Sequence, residues 1–377
     1  MQHNLFSERD ILDGIVEWAS IESPTYEPER VAVMVAHVER QLAGLGAETE
    51  TLELSPDFAP ALRARFPGQE GASQRGILIL GHLDTVHPSG TLDGPLKIRV
   101  EGDKLYGPGV FDMKGGFFMA YYAMKKLRDA GLPPKLPVTF LCIPEEEVGS
   151  PVSRGLIEEE ARKHAYVLVP EPARKGCAVT GRHAFVRYTL ITRGRPAHAG
   201  ADNLVGRSAI RAMAKLVDQL EAQTDMDRLI SFAVGVINGG RWVNVVPIEC
   251  RAEVLAVAST EENLQQVYRT MEELTSPIAE VTLEVVQGPE RPLFKPHAGT
   301  MALYERARQL AEDIGFSLDH GQFGGGSDGN FTGALEIPTL DGLGVCGAGA
   351  HTHDEHLSIS SLVPRARLLA GLLSELD

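Results

Sequence analysis

Gly76-Ile77-Leu78-Ile79-Leu80-Gly81 runs directly into His82-Leu83-Asp84. The apolar run is short, unalternating and bounded by glycines, the pattern of a strand buried on both faces of a sheet; a strand with one wet face would alternate. The arrangement recurs twice. Pro137-Val-Thr-Phe-Leu-Cys-Ile143 runs into Glu145-Glu146-Glu147, and Tyr166-Val-Leu-Val169 runs into Glu171. Three apolar strands thus deliver imidazole or carboxylate groups at their carboxyl ends, where the loops of an open α/β sheet converge on a ligand crevice. Between the first two, Asp112-Met113-Lys114-Gly115-Gly116 opens a helical stretch through Lys126. Its apolar residues Phe117, Met119, Ala120, Ala123 and Met124 precede a stop at Gly131, and alternation of strand with helix predicts an α/β layer.

Upstream, apolar residues at three-to-four spacing predict helices over 8–20 and 28–45. From about His183 the order changes to a strand over 184–192, a helix over 206–223, strands over 230–238 and 249–256, a helix over 260–274 and a strand over 279–286. That βαββαβ order is the one of a ferredoxin-like sandwich. After Pro292 the α/β pattern resumes with a helix over 300–314, the glycine-rich Gly324-Gly325-Gly326-Ser327-Asp328 and a last helix from Leu362. The fold class expected is therefore a mixed-sheet α/β domain over 1–181 plus 293–377, interrupted by a smaller ferredoxin-like α+β domain over 182–292. A length of 377 residues supports two domains, because single cores stop growing near about 250 to 300 residues.

Bulk properties narrow the partners. A net charge of -15, from 51 acidic against 36 basic residues, repels nucleic acid and anionic lipid. Residues 1–9 hold no basic stretch followed by an apolar core, and no apolar run approaches the roughly 18 residues of a membrane span. The expectation is a cytoplasmic protein that binds neither nucleic acid nor membrane. Cys142, Cys177, Cys250 and Cys346 are dispersed, which reads as reduced thiols rather than a disulfide framework.

The polar residues at the strand ends carry the chemistry. Asp84 lies two residues after His82 and suits the carboxylate that fixes a ligating imidazole's tautomer; alone, such a pair is more often an ordinary surface loop. Glu145, Glu146 and Glu147 would repel one another at the end of an apolar strand unless a positive charge sat there. Glu171 follows the third strand, Asp112 opens a helix, and Gly349-Ala-His351-Thr-His-Asp-Glu-His356 adds imidazoles in another glycine-led turn. Each segment by itself could be a solvated polar loop. Together, two His and several carboxylates in separate strand-end loops point to a divalent cation.

The motifs occur in a recognisable order: HLDTVHP (82–88), YGPGVFDMKGG (106–116), PEEEVGS (144–150), PEP (170–172), RPAHAG (195–200), NVVP (244–247), GGGSD (324–328) and AHTHDE (350–355). The set resembles the M20 family of metallopeptidases, the group of glutamate carboxypeptidase, acetylornithine deacetylase, succinyl-diaminopimelate desuccinylase and aminoacylase, and is most similar in look to the bacterial glutamate carboxypeptidases. The resemblance implies a pair of zinc ions, with manganese or cobalt also suited to the ligands. Asp112 would bridge them, His82 and Glu171 completing one site and Glu147 and His351 the other, with the metals about 3.5 to 4 Å apart. It implies Glu146 as general base, Asp84 as the partner of His82, and His198 as a stabiliser of oxyanion charge supplied by a partner subunit. It further implies Asn244, Gly325, Gly326 and Ser327 as substrate contacts, Lys175 and Arg291 as basic ones, and the smaller domain as a lid and homodimer contact. The reaction implied is hydrolysis of an amide, peptide or N-acyl bond in a small molecule by metal-activated water.

One departure matters. Many family members carry Asp-x-Arg on a strand after NVVP, the arginine gripping a substrate carboxylate; here the segment reads Ala252-Glu253-Val254-Leu255-Ala256. Leu255 cannot form a bidentate clamp. Arg182, His183, Arg207 and Arg241 are alternative sources of charge. The substitution opens a second reaction, hydrolysis of a non-peptide C–N bond such as an aromatic amine, carbamoyl or amidine group. A catalytically silent metal-binding module is a third reading, opposed by the intact base and ligand set. Tyr106-Gly-Pro-Gly109 in place of an arginine-containing turn and the extra His353 are further departures.

Overall fold

The computed structural model describes residues 5–69 and 75–377; the N-terminal reading above falls partly on residues 1–4, outside them. The chain divides into two compact units. One runs through Gly181 and continues with Phe294–Phe323 and Ser327–Asp377; the other is Arg182–Leu293 with Gly324–Gly326. This differs from the expected 182–292 by Leu293 and the glycine triplet. Leu293 packs into the smaller unit's core, Arg182 Nη1 donates to the carbonyl of Gly325 at 2.9 Å, and Gly326 closely abuts the Arg291 side chain.

The larger unit is built on a six-stranded mixed sheet in the spatial order Glu48–Leu52, Ala61–Phe66, Val138–Ile143, Gly76–His82, His164–Leu168, Thr339–Leu340. Gly76–His82 lies parallel to both of its neighbours. Its alternate side chains enter separate cores. Ile77 and Ile79 join the cluster formed with helices Glu8–Ala19, Pro28–Gly44, Lys114–Asp129, Ala298–Ile314 and Leu362–Glu375. Leu78 and Leu80 join a second cluster with Leu141, Ile157, Val167 and Phe331. Burial on both faces explains the unalternating sequence. The predicted helix over 112–126 begins at Lys114, which leaves Asp112 in the preceding turn. A Cβ on Gly116 would overlap the Pro170 carbonyl oxygen, so this glycine lets the helix start pass close to the loop that carries Glu171.

A small four-stranded antiparallel sheet, Gly347–Ala348, His356–Ser358, Lys104–Tyr106 and Arg99–Glu101, holds the turns on either side of it. In the smaller unit the elements run strand Ala184–Arg193, helix Ala209–Glu221, strands Ile230–Gly239 and Glu249–Ala258, helix Glu261–Glu272 and strand Thr282–Arg291. The four strands form one antiparallel sheet with Ile230–Gly239 and Thr282–Arg291 at its edges. Among the described residues no helix is long and apolar enough to cross a membrane.

Candidate metal centre

His82 ends its strand with its ring 1% exposed. Its Nδ1 donates to the carbonyl oxygen of Asp84 at 3.0 Å and lies 3.3 Å from Asp84 Oδ1. The Asp84 carboxylate, fully buried, accepts from the Thr25 hydroxyl at 2.7 Å and from the amides of Glu146 and Glu147, both at 3.2 Å. Asp84 therefore fixes the imidazole at one strand end through its carbonyl and the backbone of the acidic turn at the next through its carboxylate.

The Glu triplet separates by direction. Glu145 turns away from the others: its carboxylate accepts from the Ser153 amide at 2.8 Å and hydroxyl at 2.7 Å, and burial pushes its pKa up to about 7. Glu147 Oε2 lies 3.0 Å from His351 Nε2. Glu146 Oε2 lies 4.0 Å from His82 Nε2, and Glu171 Oε1 lies 3.7 Å from the same nitrogen. Asp112 stands between the imidazoles, with Oδ1 3.4 Å from His82 Nε2 and Oδ2 3.3 Å from His351 Nε2. Its peptide to Met113 is cis. His82, Asp112 and Glu147 each offer a ligand atom within 4.8 Å of the others.

Electrostatics show what such a cluster lacks. Burial acts to raise the carboxyl of Asp112, yet His351 and His82 hold it far below the usual carboxylate range. Burial pushes Glu147 up to about 8, with the charge of Asp112 acting in the same direction. The carboxylates of Asp112 and Glu147 beside it raise His351 to about 10. Burial opposes the charged form of His82, but Asp112 and Asp84 raise its pKa well above the ordinary value. The crowded carboxylates thus demand positive charge. With Nδ1–H committed to the Asp84 carbonyl, the buried Nε2 of His82 faces three carboxylates without a hydrogen-bond partner. Separations of 3.3 to 4.0 Å exceed good hydrogen bonds, whereas nitrogen and oxygen donors aimed at shared points suit a divalent cation.

The remaining predicted residues are placed as follows. His198 is exposed, its Nδ1 accepting from the amides of Gly200 at 3.2 Å and Ala201 at 3.1 Å. Its turn is tied to that of Asn244, also exposed, through Ala199 N to the Asn244 carbonyl at 2.9 Å. Ser327 is buried, and its hydroxyl donates to Asp341 at 2.5 Å, which gives it an internal role. Gly325 and Gly326 accept from Arg182 through their carbonyls, and Arg291 is buried beside Gly326. Lys175 is exposed in the Arg174–Cys177 turn with φ 55°; His353 is exposed in the turn after His351. Register places Arg187 directly opposite Leu255, so the two share a sheet face. Arg207 is engaged by the carbonyls of Leu204 and Gly206 and by Glu280. Sequence reading missed Thr25, Arg187 and Glu355.

Comparison with known proteins agrees with this chemistry. The profile of Peptidase family M20/M25/M40 matches residues 78–375. Carboxypeptidase G2 of Pseudomonas sp. (strain RS-16) is 28% identical over 97% of this chain and 89% of its own length. Acetylornithine deacetylase of Myxococcus xanthus is 24% identical over 94% of each. The crystal structure of a tripeptidase from Staphylococcus aureus subsp. aureus Mu50 superposes with a TM-score of 0.77 at 21% identity, covering 98% of this chain and 99% of that one. The match over most of the chain shows that it belongs to Peptidase family M20/M25/M40, the metallohydrolases that act on amide and peptide bonds of small molecules.

Proposed function

We propose that the chain hydrolyses an amide, peptide or N-acyl bond in a small molecule at a centre of one or two divalent cations, zinc first, with manganese or cobalt suiting the same donors. The observation that carries the reading is Asp112, whose two carboxylate oxygens each face a different imidazole. His82 and Glu171 stand with one oxygen, His351 and Glu147 with the other. When bound there, the cations acidify a water and polarise the scissile carbonyl.

The chain's own groups do the rest. Glu146, with Oε2 4.0 Å from His82 Nε2, is the general base, taking a proton from water and returning it to the leaving nitrogen. Asp84 orients His82 and holds the Glu146 and Glu147 amides. Because the Nδ1 of His198 accepts two amide hydrogen bonds, its ring proton sits on Nε2, the form that donates to a developing oxyanion. Asn244, Gly325, Gly326, Ser327, Lys175 and Arg291 remain the proposed substrate contacts.

We read the smaller unit as a ferredoxin-like lid and dimerisation domain and the protein as a cytoplasmic homodimer. Leu204, Val205, Trp242 and Val243 are exposed together with Val236 and Ile237 of the edge strand, an apolar surface of the kind that pairs with another. Leu255 supports a second reading, cleavage of a non-peptide C–N bond, because no guanidinium stands at its own position. The deciding experiment incubates metal-stripped and zinc-reloaded enzyme with N-acyl amino acids, dipeptides and aryl amines and identifies products by mass spectrometry. Zinc-dependent release of an acid and an amine is expected. Ammonia from aryl amines alone would replace the amide reading with the second.

A further inference from the structure

We propose that Glu355 is a positioning residue that fixes Asp112, and with it three ligand-bearing loops, at the metal centre; the inference rests on the reading of Asp112 as a shared ligand. Glu355 is 1% exposed, and its carboxylate receives four hydrogen bonds. Oε1 accepts from the amides of Phe111 and Asp112, both at 3.0 Å. Oε2 accepts from the amide of Gly109 at 3.1 Å and from His87 Nε2 at 2.6 Å. The Glu355 carbonyl also receives the Gly107 amide at 3.4 Å. The turn from 107 to 112 is therefore wrapped around one carboxylate, an anion held by converging backbone N–H groups. Gly109 takes φ 73°, a left-handed conformation that lets its amide join the others.

Each donor belongs to a segment that carries a proposed ligand. His87 lies five residues after His82, the amides run up to that of Asp112 itself, and Glu355 follows His351 in the turn closed by Thr352 N to the Gly349 carbonyl at 3.0 Å. One side chain thus sets the spacing of His82, Asp112 and His351 without touching any of their ligand atoms. A carboxylate suits this place because it accepts at both oxygens. Glutamine keeps the shape but turns an NH2 toward one pair of donors, so the turn must open and Asp112 must move.

The test measures the zinc dissociation constant of the metal-stripped full chain by competition with a chromophoric chelator, alongside its thermal midpoint. E355Q is expected to bind zinc about 10 to 100-fold more weakly than wild type, the usual effect of removing a group that orients a ligand. Wild-type zinc affinity in E355Q overturns the proposal, whatever happens to the midpoint. Should E355Q fail to fold, the His87 pair decides. H87L is expected to weaken zinc about tenfold and H87Q, which keeps a donor, to stay within about threefold of wild type; H87L as tight as wild type overturns the proposal. D112N serves as the reference. If D112N binds zinc as tightly as wild type, the reading of the metal centre itself fails; if D112N weakens zinc and E355Q does not, only the positioning role fails.

Discussion

At the residue scale the centre works by giving neighbouring groups different surroundings. Glu146 and Glu147 are adjacent, yet the turn Glu146–Val148 sends one toward His82 and the other onto His351. A group that moves a proton without ligating should be separable from those that ligate. Glu146→Gln is expected to keep zinc affinity near that of wild type while turnover falls about 10²- to 10⁴-fold; steady-state kinetics on zinc-loaded enzyme check this, and undiminished turnover would remove Glu146 as base. His198→Ala is expected to lower kcat by about 10²- to 10³-fold with little rise in KM, since a donor to developing charge acts on the transition state. A rise in KM alone would make His198 a substrate contact. The strand-end pattern exposed the ligand candidates, but composition could not tell Glu145 from its two neighbours, because the difference lies in where Ser153 meets the carboxylate. Glu355 was illegible for another reason: its partners are mainly backbone amides, which every sequence offers.

At the element scale the strand Gly76–His82 does two jobs, carrying His82 and joining two cores. Ile79 is fully buried between the helices on one face, so Ile79→Ala is expected to cost about 2 to 5 kcal/mol, read from denaturant unfolding of the metal-free protein. A cost below about 0.5 kcal/mol, the level of a surface substitution, would deny that this strand is central. At the opposite end of the sheet, His164 is buried with Nδ1–H donating to the Glu160 carbonyl at 2.8 Å and Nε2 accepting from Thr139 at 2.9 Å. Burial lowers its pKa below the ordinary 6.5. The unfolded chain therefore takes up a proton first as pH falls through about 6.5, and stability contributed by the neutral ring is lost from that point downward. His164→Gln is expected to flatten the stability profile between about pH 7 and pH 5, and an unchanged profile would clear His164 of any part in it. Buried strands and long amphipathic helices were legible from period alone. The strands Glu48–Leu52 and Ala61–Phe66 were not, since edge pairing depends on neighbours distant in sequence, and neither was the two-residue Thr339–Leu340.

At the scale of the whole molecule, a strongly acidic chain exposes apolar side chains on its smaller unit, with Leu204 94%, Trp242 67% and Val243 103% exposed. Net charge disperses copies from one another, so a contact between them has to come from such a surface. Val243→Glu is expected to turn a dimer into a monomer by light scattering, and a wild-type chain that is already monomeric would sink the dimer proposal. A dimer would have a catalytic consequence if His198 served the centre of a second copy, because two chains that are each inactive could then repair one another. Coexpressed in equal amounts, Glu146→Gln and His198→Ala chains form about half mixed dimers, and in each of these one of the two sites holds both an intact Glu146 and an intact His198; turnover should return to about a quarter of wild type. Recovery no greater than the mean of the two parents would mean that His198 acts within its own chain or not at all, and the fall in kcat of His198→Ala alone tells those two apart.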